Sequence, residues 1–169
     1  MTTPATPASQ LSGFIAKFTP EMAARIKAAR TSMRRRLPHA LELVYDNYNF
    51  FVIGYGPTER PSEAVFSLAA HARGVALCFL HGATLPDPTR LLRGAGHQVR
   101  SIRLPDGGTL KQPAVAALIA AAIKQAPVPF NPAVRSRLII KSISAKQRPR
   151  RAATPAAAKS KIKNRKSKI

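Results

Sequence analysis

Apolar residues recur at helical spacing near the start of the chain and switch to alternating spacing in its middle. Leu11, Phe14, Ile15 and Phe18 predict a short helix over Ser9–Phe18. Thr19-Pro20-Glu21 is a helix start: threonine can cap, proline suits the first turn and glutamate favours the positive end of the dipole. The helix that follows carries Met22, Ile26, Ala29, Met33 and Leu37 as one apolar stripe. Arg34, Arg35 and Arg36 fall in its last turn, and Pro38 ends it. Short β-branched and aromatic runs then follow at 41–46, 50–55, 64–70, 75–80 and 99–104, separated by turn formers. Val75, Leu77 and Phe79 share one strand face; Ala76, Cys78 and Leu80 share the other. Pro88 to Arg93 reads as a helical turn ended by Gly94, and Asp106-Gly107-Gly108 as a tight turn. Pro113 opens a last helix with Val115, Leu118, Ile119, Ala122 and Ile123 on one side.

Helices, a run of strands, then a helix predict an α+β fold rather than a doubly wound one. The short connections before Val75 require antiparallel pairing. The expected architecture is an antiparallel sheet of about five strands packed by N-terminal and C-terminal helices, followed by a disordered basic tail. Residues 1–8 are expected to be a disordered N-terminus, 9–127 the folded domain, and 128–169 a proline-containing linker and tail. The prolines of APVPFNP mark the seam. Within the tail, RLIIKSI is apolar enough to dock on the domain or form a short strand.

Charge sharpens that division. The chain has 28 Lys and Arg against 7 Asp and Glu, a formal net charge of +21. Residues 131–169 hold 13 of the cations and no acid. The stretch from Ala145 onward has almost no bulky apolar residue to offset the entropy of ordering, so it reads as a solvated arm. Its cations, with those just before it, are Lys141, Lys146, Arg148, Arg150, Arg151, Lys159, Lys161, Lys163, Arg165, Lys166 and Lys168. Such a run binds polyphosphate through counterion release, without base preference, or serves as a solubilising arm. Nucleic acid is therefore a candidate partner. No run of apolar residues reaches the length of a membrane span, and MTTPATPASQ has no signal-peptide pattern, so the cytoplasm is the expected location. The single cysteine excludes an internal disulfide framework.

Site chemistry is sparse. Tyr45, Asp46, Asn47, Tyr48, Asn49 and Tyr55 concentrate all three tyrosines around one turn. With Arg100, the set Tyr45, Asp46, Asn47, Asn49 and Tyr55 is a candidate ligand cleft; the alternative is an ordinary turn. LLRGAGHQVR could cradle an anion through Arg93, His97 and Arg100, but it lacks the rest of a phosphate-loop pattern. Cys78 and His81 face opposite ways on a strand, which opposes a shared metal. The seven carboxylates are scattered and suggest no acid–base pair. The functional alternatives that the residues themselves leave open are a non-enzymatic binding module and a small-molecule enzyme with an unrecognised site.

The strings ELVYDNYNFFVIGYGPTER, FSLAAHARGVALCFLHGATLPDP and LLRGAGHQVRSIRL, in that order, resemble the YdhG-like family, a widespread bacterial family of domains of unknown function. The likeness covers about residues 20–125, and RLIIKSISAKQRPRR is similar to an extension in some members. The resemblance implies an α+β fold. Part of the family is described as frataxin-like, which implies iron as a possible ligand in intracellular delivery. Frataxins handle iron on an acidic first-helix ridge. The matching helix here carries Glu21 among Arg25, Lys27, Arg30, Arg34, Arg35 and Arg36, so the resemblance assigns no metal-ligating residue.

Overall fold

A computed structural model describes residues 3–152. Thr6 caps α1 (Pro7–Ala16) by accepting from the Ser9 amide, and Thr19 caps α2 (Pro20–Arg36) by accepting from the Met22 amide. In each, proline occupies the first turn, where its missing N–H costs nothing. The strands are β1 (Leu41–Asp46), β2 (Phe51–Gly56), β3 (Phe66–His71), β4 (Gly74–Phe79) and β5 (Arg100–Arg103). After α3 (Pro113–Gln125) comes β6 (Leu138–Ile143).

All six strands form one sheet in the order β5-β4-β3-β2-β1-β6. The first five pair antiparallel with their neighbours. β6 adds to β1 in parallel, with a register shift between Val44 and Tyr45. The sheet is therefore mixed and six-stranded, rather than antiparallel with about five strands. The reason is the RLIIKSI segment: Leu138 and Ile140 pack against the core while the strand supplies the backbone partners that β1 would otherwise lack at its edge. A parallel addition needs a long return path. The chain from β5 through α3 to Arg137 provides it, with Phe130 packing on the core and the Val134 carbonyl bonded to His39 Nδ1.

Alternation decides which residues are buried. Phe51, Ile53 and Tyr55 of β2, Phe66 and Leu68 of β3, and Val75, Leu77 and Phe79 of β4 join the apolar stripes of all three helices in one core. On the other face, Tyr45, Val52, Ser67, Ala69, Ala76, Cys78 and Ser101 are half-buried and mostly small.

Four further expectations need correction. The first helix begins at Pro7 behind its Thr6 cap, so residues 7–8 belong to the fold rather than to the disordered N-terminus expected over 1–8. The seam at 127/128 does not end the folded unit, because residues 128–152 pack on it through β6 and a segment beyond it. That segment was expected to be a solvated arm, but the Arg148 amide bonds to the Tyr48 carbonyl and Arg150 is only 5% exposed. Finally, Pro88–Arg93 is not helical. The Asp87 carboxylate accepts from the Leu91 and Leu92 amides, each at 2.9 Å, and Arg90 has φ 54°. Arg93 then pairs with Ser101, so Gly94 follows a β-bridge instead of capping a helix. At φ 130° it occupies backbone space that suits glycine, and a side chain would press on the Val99 carbonyl.

Candidate functional site

The buried chemistry of the domain lies on β1. Glu42 and Asp46 stand on its helix-covered face, where a strand of this register would ordinarily place apolar residues. Glu42 is 2% exposed. Arg30 of α2 grips it with two parallel bonds, Nε at 3.0 Å and Nη2 at 2.9 Å. The Tyr55 hydroxyl donates to the same carboxylate at 3.1 Å, and Arg34 stands 3.7 Å away. Burial, reinforced by the Glu42 charge, holds the Tyr55 hydroxyl well above its ordinary pKa. Burial pulls the Arg30 guanidinium down, but its bond to Glu42 reverses this and leaves it raised.

Asp46 has no exposed surface. Its carboxylate accepts from Lys17 Nζ at 2.7 Å and from Arg150 Nη2 at 2.9 Å. Its backbone carbonyl accepts from Gln147 Nε2 and from the Ser144 amide. Burial pushes the carboxyl pKa up, yet the bonds from Lys17 and Arg150 win and hold it below its ordinary value. Arg150 also donates to the Asn47 carbonyl at 2.6 Å and lies over the Phe18 ring, while its Nε and Nη1 are buried without a partner among the described residues. The two carboxylates are satisfied ion-pair centres.

The predicted cleft does not assemble. Tyr55 and Asp46 point into the core, whereas Tyr45 occupies the opposite face, where burial raises its pKa. Asn47 accepts from the Ser142 hydroxyl at 2.7 Å, and Asn49 is exposed in the turn. Arg100 lies on β5, three strands away from β2. Its guanidinium bonds the Gly96 and Val99 carbonyls and so closes its own loop. Closeness along the chain does not bring these side chains together, because alternation sends neighbouring strand residues to opposite faces.

The basic residues divide as well. Arg150 is withdrawn from any surface role by its burial. Lys141 bonds the Glu59 carbonyl, and Arg151 bonds the Lys17 carbonyl. Lys146 and Arg148 are exposed, the latter with its guanidinium over the Tyr48 ring. Lys159, Lys161, Lys163, Arg165, Lys166 and Lys168 lie outside the described residues.

Each of the seven carboxylates has an internal partner. Glu21 pairs with Arg25, Glu42 with Arg30 and Arg34, Asp46 with Lys17 and Arg150, Glu59 with Arg137, and Glu63 with Arg60. Asp87 caps amides as described, and Asp106 accepts from the Gly108 and Thr109 amides in the predicted turn. Among the described residues, seven cations are used in these pairs.

A cavity of about 730 Å³ opens where the β3–β4 hairpin meets the end of β5. Arg25, Phe50, His71, Arg73, Cys78 and Arg103 are among the residues that line it. No local pattern marks these residues, because only strand register brings them together. Burial pushes the Cys78 thiol pKa up, with partial relief from Ser67. Among the described residues there is no group of three or more His, Cys, Asp or Glu placed to hold a metal ion, and no helix is long and apolar enough to cross a membrane. Compared with family models, curated proteins and solved structures, the chain matches none.

Proposed function

We propose that this protein is a non-enzymatic binding module for polyanions, with nucleic acid as its partner through the phosphate backbone. The observation that carries this reading is the internal use of every carboxylate. Ion pairs and capped turns occupy all seven, and most of the cations among the described residues remain without an internal counter-charge. A surface of this sign concentrates polyphosphate and gains entropy by releasing its counterions. The exposed Lys146 and Arg148 would act with the six cations from Lys159 to Lys168. Arg150 belongs to the fold and not to this surface. The reading remains compatible with a YdhG-like domain in the cytoplasm.

An iron-carrying role draws less support. Iron would have to compete with Arg30 for Glu42 and with Lys17 and Arg150 for Asp46. Coulomb repulsion from the basic face of α2 opposes the approach of a divalent cation.

The test uses the full chain and fluorescence anisotropy on a labelled duplex over a range of salt. The logarithm of affinity should fall linearly with the logarithm of salt concentration. Replacing Lys159, Lys161, Lys163, Lys166 and Lys168 by glutamine should flatten that slope. Salt-insensitive binding, or no binding at about 50 mM salt, would overturn the proposal.

A further inference from the structure

Most large apolar side chains here are buried, but two aromatic rings beside the β1–β2 turn are not. Tyr48 is 50% exposed and Phe50 is 44% exposed. Each has a partner of a particular kind. The Arg148 guanidinium lies 5.8 Å from the Tyr48 ring centroid, and the His71 ring meets Phe50 edge-on at 5.7 Å. Phe50 and His71 also form one wall of the 730 Å³ cavity, a size within the range of sites that enclose small organic groups. The small side chains of Ala69, Ala76 and Cys78 form an apolar part of its lining. Arg73 and Arg103 line the same cavity and are exposed, without an ion pair among the described residues; Arg25 shares its charge with Glu21.

We infer that this end of the sheet is a stacking platform for single-stranded nucleic acid, with unpaired bases on Phe50 and Tyr48 and the backbone along Arg73, Arg103 and Arg148. The inference rests on the polyanion reading above and deepens it. Cations alone hold duplexes and single strands alike. Exposed rings add a contact that only unpaired bases can make, because duplex bases are already stacked on one another. Aromatic rings interleaved with guanidinium groups recognise bases through their π faces without reading sequence. The basic segment supplies no ring of its own, but it places Arg148 over Tyr48 and so joins the platform.

The experiment compares labelled oligothymidylate of about 12 nucleotides with a duplex of the same length, using the full chain and its Phe50→Ala and Tyr48→Ala variants. Each variant should bind the single strand roughly tenfold more weakly, the effect of losing one stacked base, with duplex affinity unchanged. Phe50→Leu keeps apolar bulk and removes the π face, so it should lose most of the same affinity while far-ultraviolet circular dichroism stays as in the parent. If all three variants retain parental single-strand affinity while the parent binds both probes in a salt-dependent manner, the platform is wrong and the polyanion reading stands. If the parent binds neither probe, both readings fall.

Discussion

Glu42 and Asp46 lie four residues apart on one strand and one face, yet they do different work. Glu42 is held by groups close in the chain: Arg30 is 12 residues before it and Tyr55 is 13 after it. Its main cation reaches from α2 and is partly exposed. Asp46 joins Lys17 at the end of α1 to Arg150 at the far end of the described chain, 104 residues away. One carboxylate fastens a helix to a neighbouring strand. The other fastens the last described residues to the first helical pair. The cost of losing a buried charge depends on whether its partner can reach water afterwards. Arg30 and Lys17 can turn to water, whereas Arg150, 3% exposed along its side chain, cannot.

Removing each carboxylate should therefore separate the two ends of β1. Asp46→Ala leaves the Arg150 charge buried without a carboxylate, keeping only the Asn47 carbonyl as acceptor and the Phe18 ring beneath it, and should cost about 3–5 kcal/mol. Glu42→Ala leaves a buried Tyr55 hydroxyl without an acceptor while Arg30 relaxes outward, and should cost about 1–3 kcal/mol. Urea denaturation of the full chain measures both. Equal losses would show that Arg150 is better served by other groups than its contacts indicate.

Arg150→Met tests the connection from the other side. Asp46 keeps Lys17, and two guanidinium nitrogens that had no partner disappear, so the loss should be smaller, about 1–2 kcal/mol. Its signature is local. Amide hydrogen exchange should quicken at Ser144, Arg148 and β6, while the β2–β3 amides keep their protection. Uniform quickening across the sheet would mean that Arg150 stabilises the whole fold rather than this segment.

The same contrast marks what could be read from the sequence. The bounds of β1 were legible to the residue, because Leu41 to Asp46 is a compact run between Pro38 and an asparagine-rich turn. The α2 stripe and the grouping of Val75, Leu77 and Phe79 on one face of β4 followed from spacing alone. Arg150 was not legible. Its neighbours are basic, proline-rich and poor in bulky residues, and the acid it meets lies on the first strand. Composition measures what a segment can bury by itself; it does not register one guanidinium bound for a distant carboxylate. The cavity residues were hidden for a related reason. Phe50, His71 and Arg103 come together through the pairings of β2 with β3 and of β4 with β5, which alternation limits but does not choose. Asp87 shows the local counterpart: its two amide bonds replaced the helical turn expected over 88–93.

Acid should act on the Asp46 end. A carboxyl whose folded pKa is lowered adds stability that is present at neutral pH. Protonation begins to remove it below the ordinary carboxyl value of about 4, and it is gone once the pH falls through the folded value. The parent should therefore lose more stability than Asp46→Asn between neutral pH and about pH 3. Parallel curves for the two proteins would place the acid sensitivity outside this end of β1.

Alkali should act on the Glu42 end, with the smallest effect. The raised Tyr55 hydroxyl favours the folded state while it is neutral. That contribution is complete below the ordinary tyrosine value of about 10 and is lost as pH rises through the folded value. Tyr55→Phe removes the titration and one bond to Glu42, which Arg30 still holds, so at neutral pH it should cost only about 1 kcal/mol. Because the variant has no hydroxyl to ionise, the gap between parent and variant should narrow above about pH 10. Tyrosine absorbance near 295 nm supplies the check: in the folded parent, one of the three tyrosines should ionise only as the protein unfolds. If all three titrate before unfolding, the buried bond from Tyr55 to Glu42 is not what holds that end of β1 together.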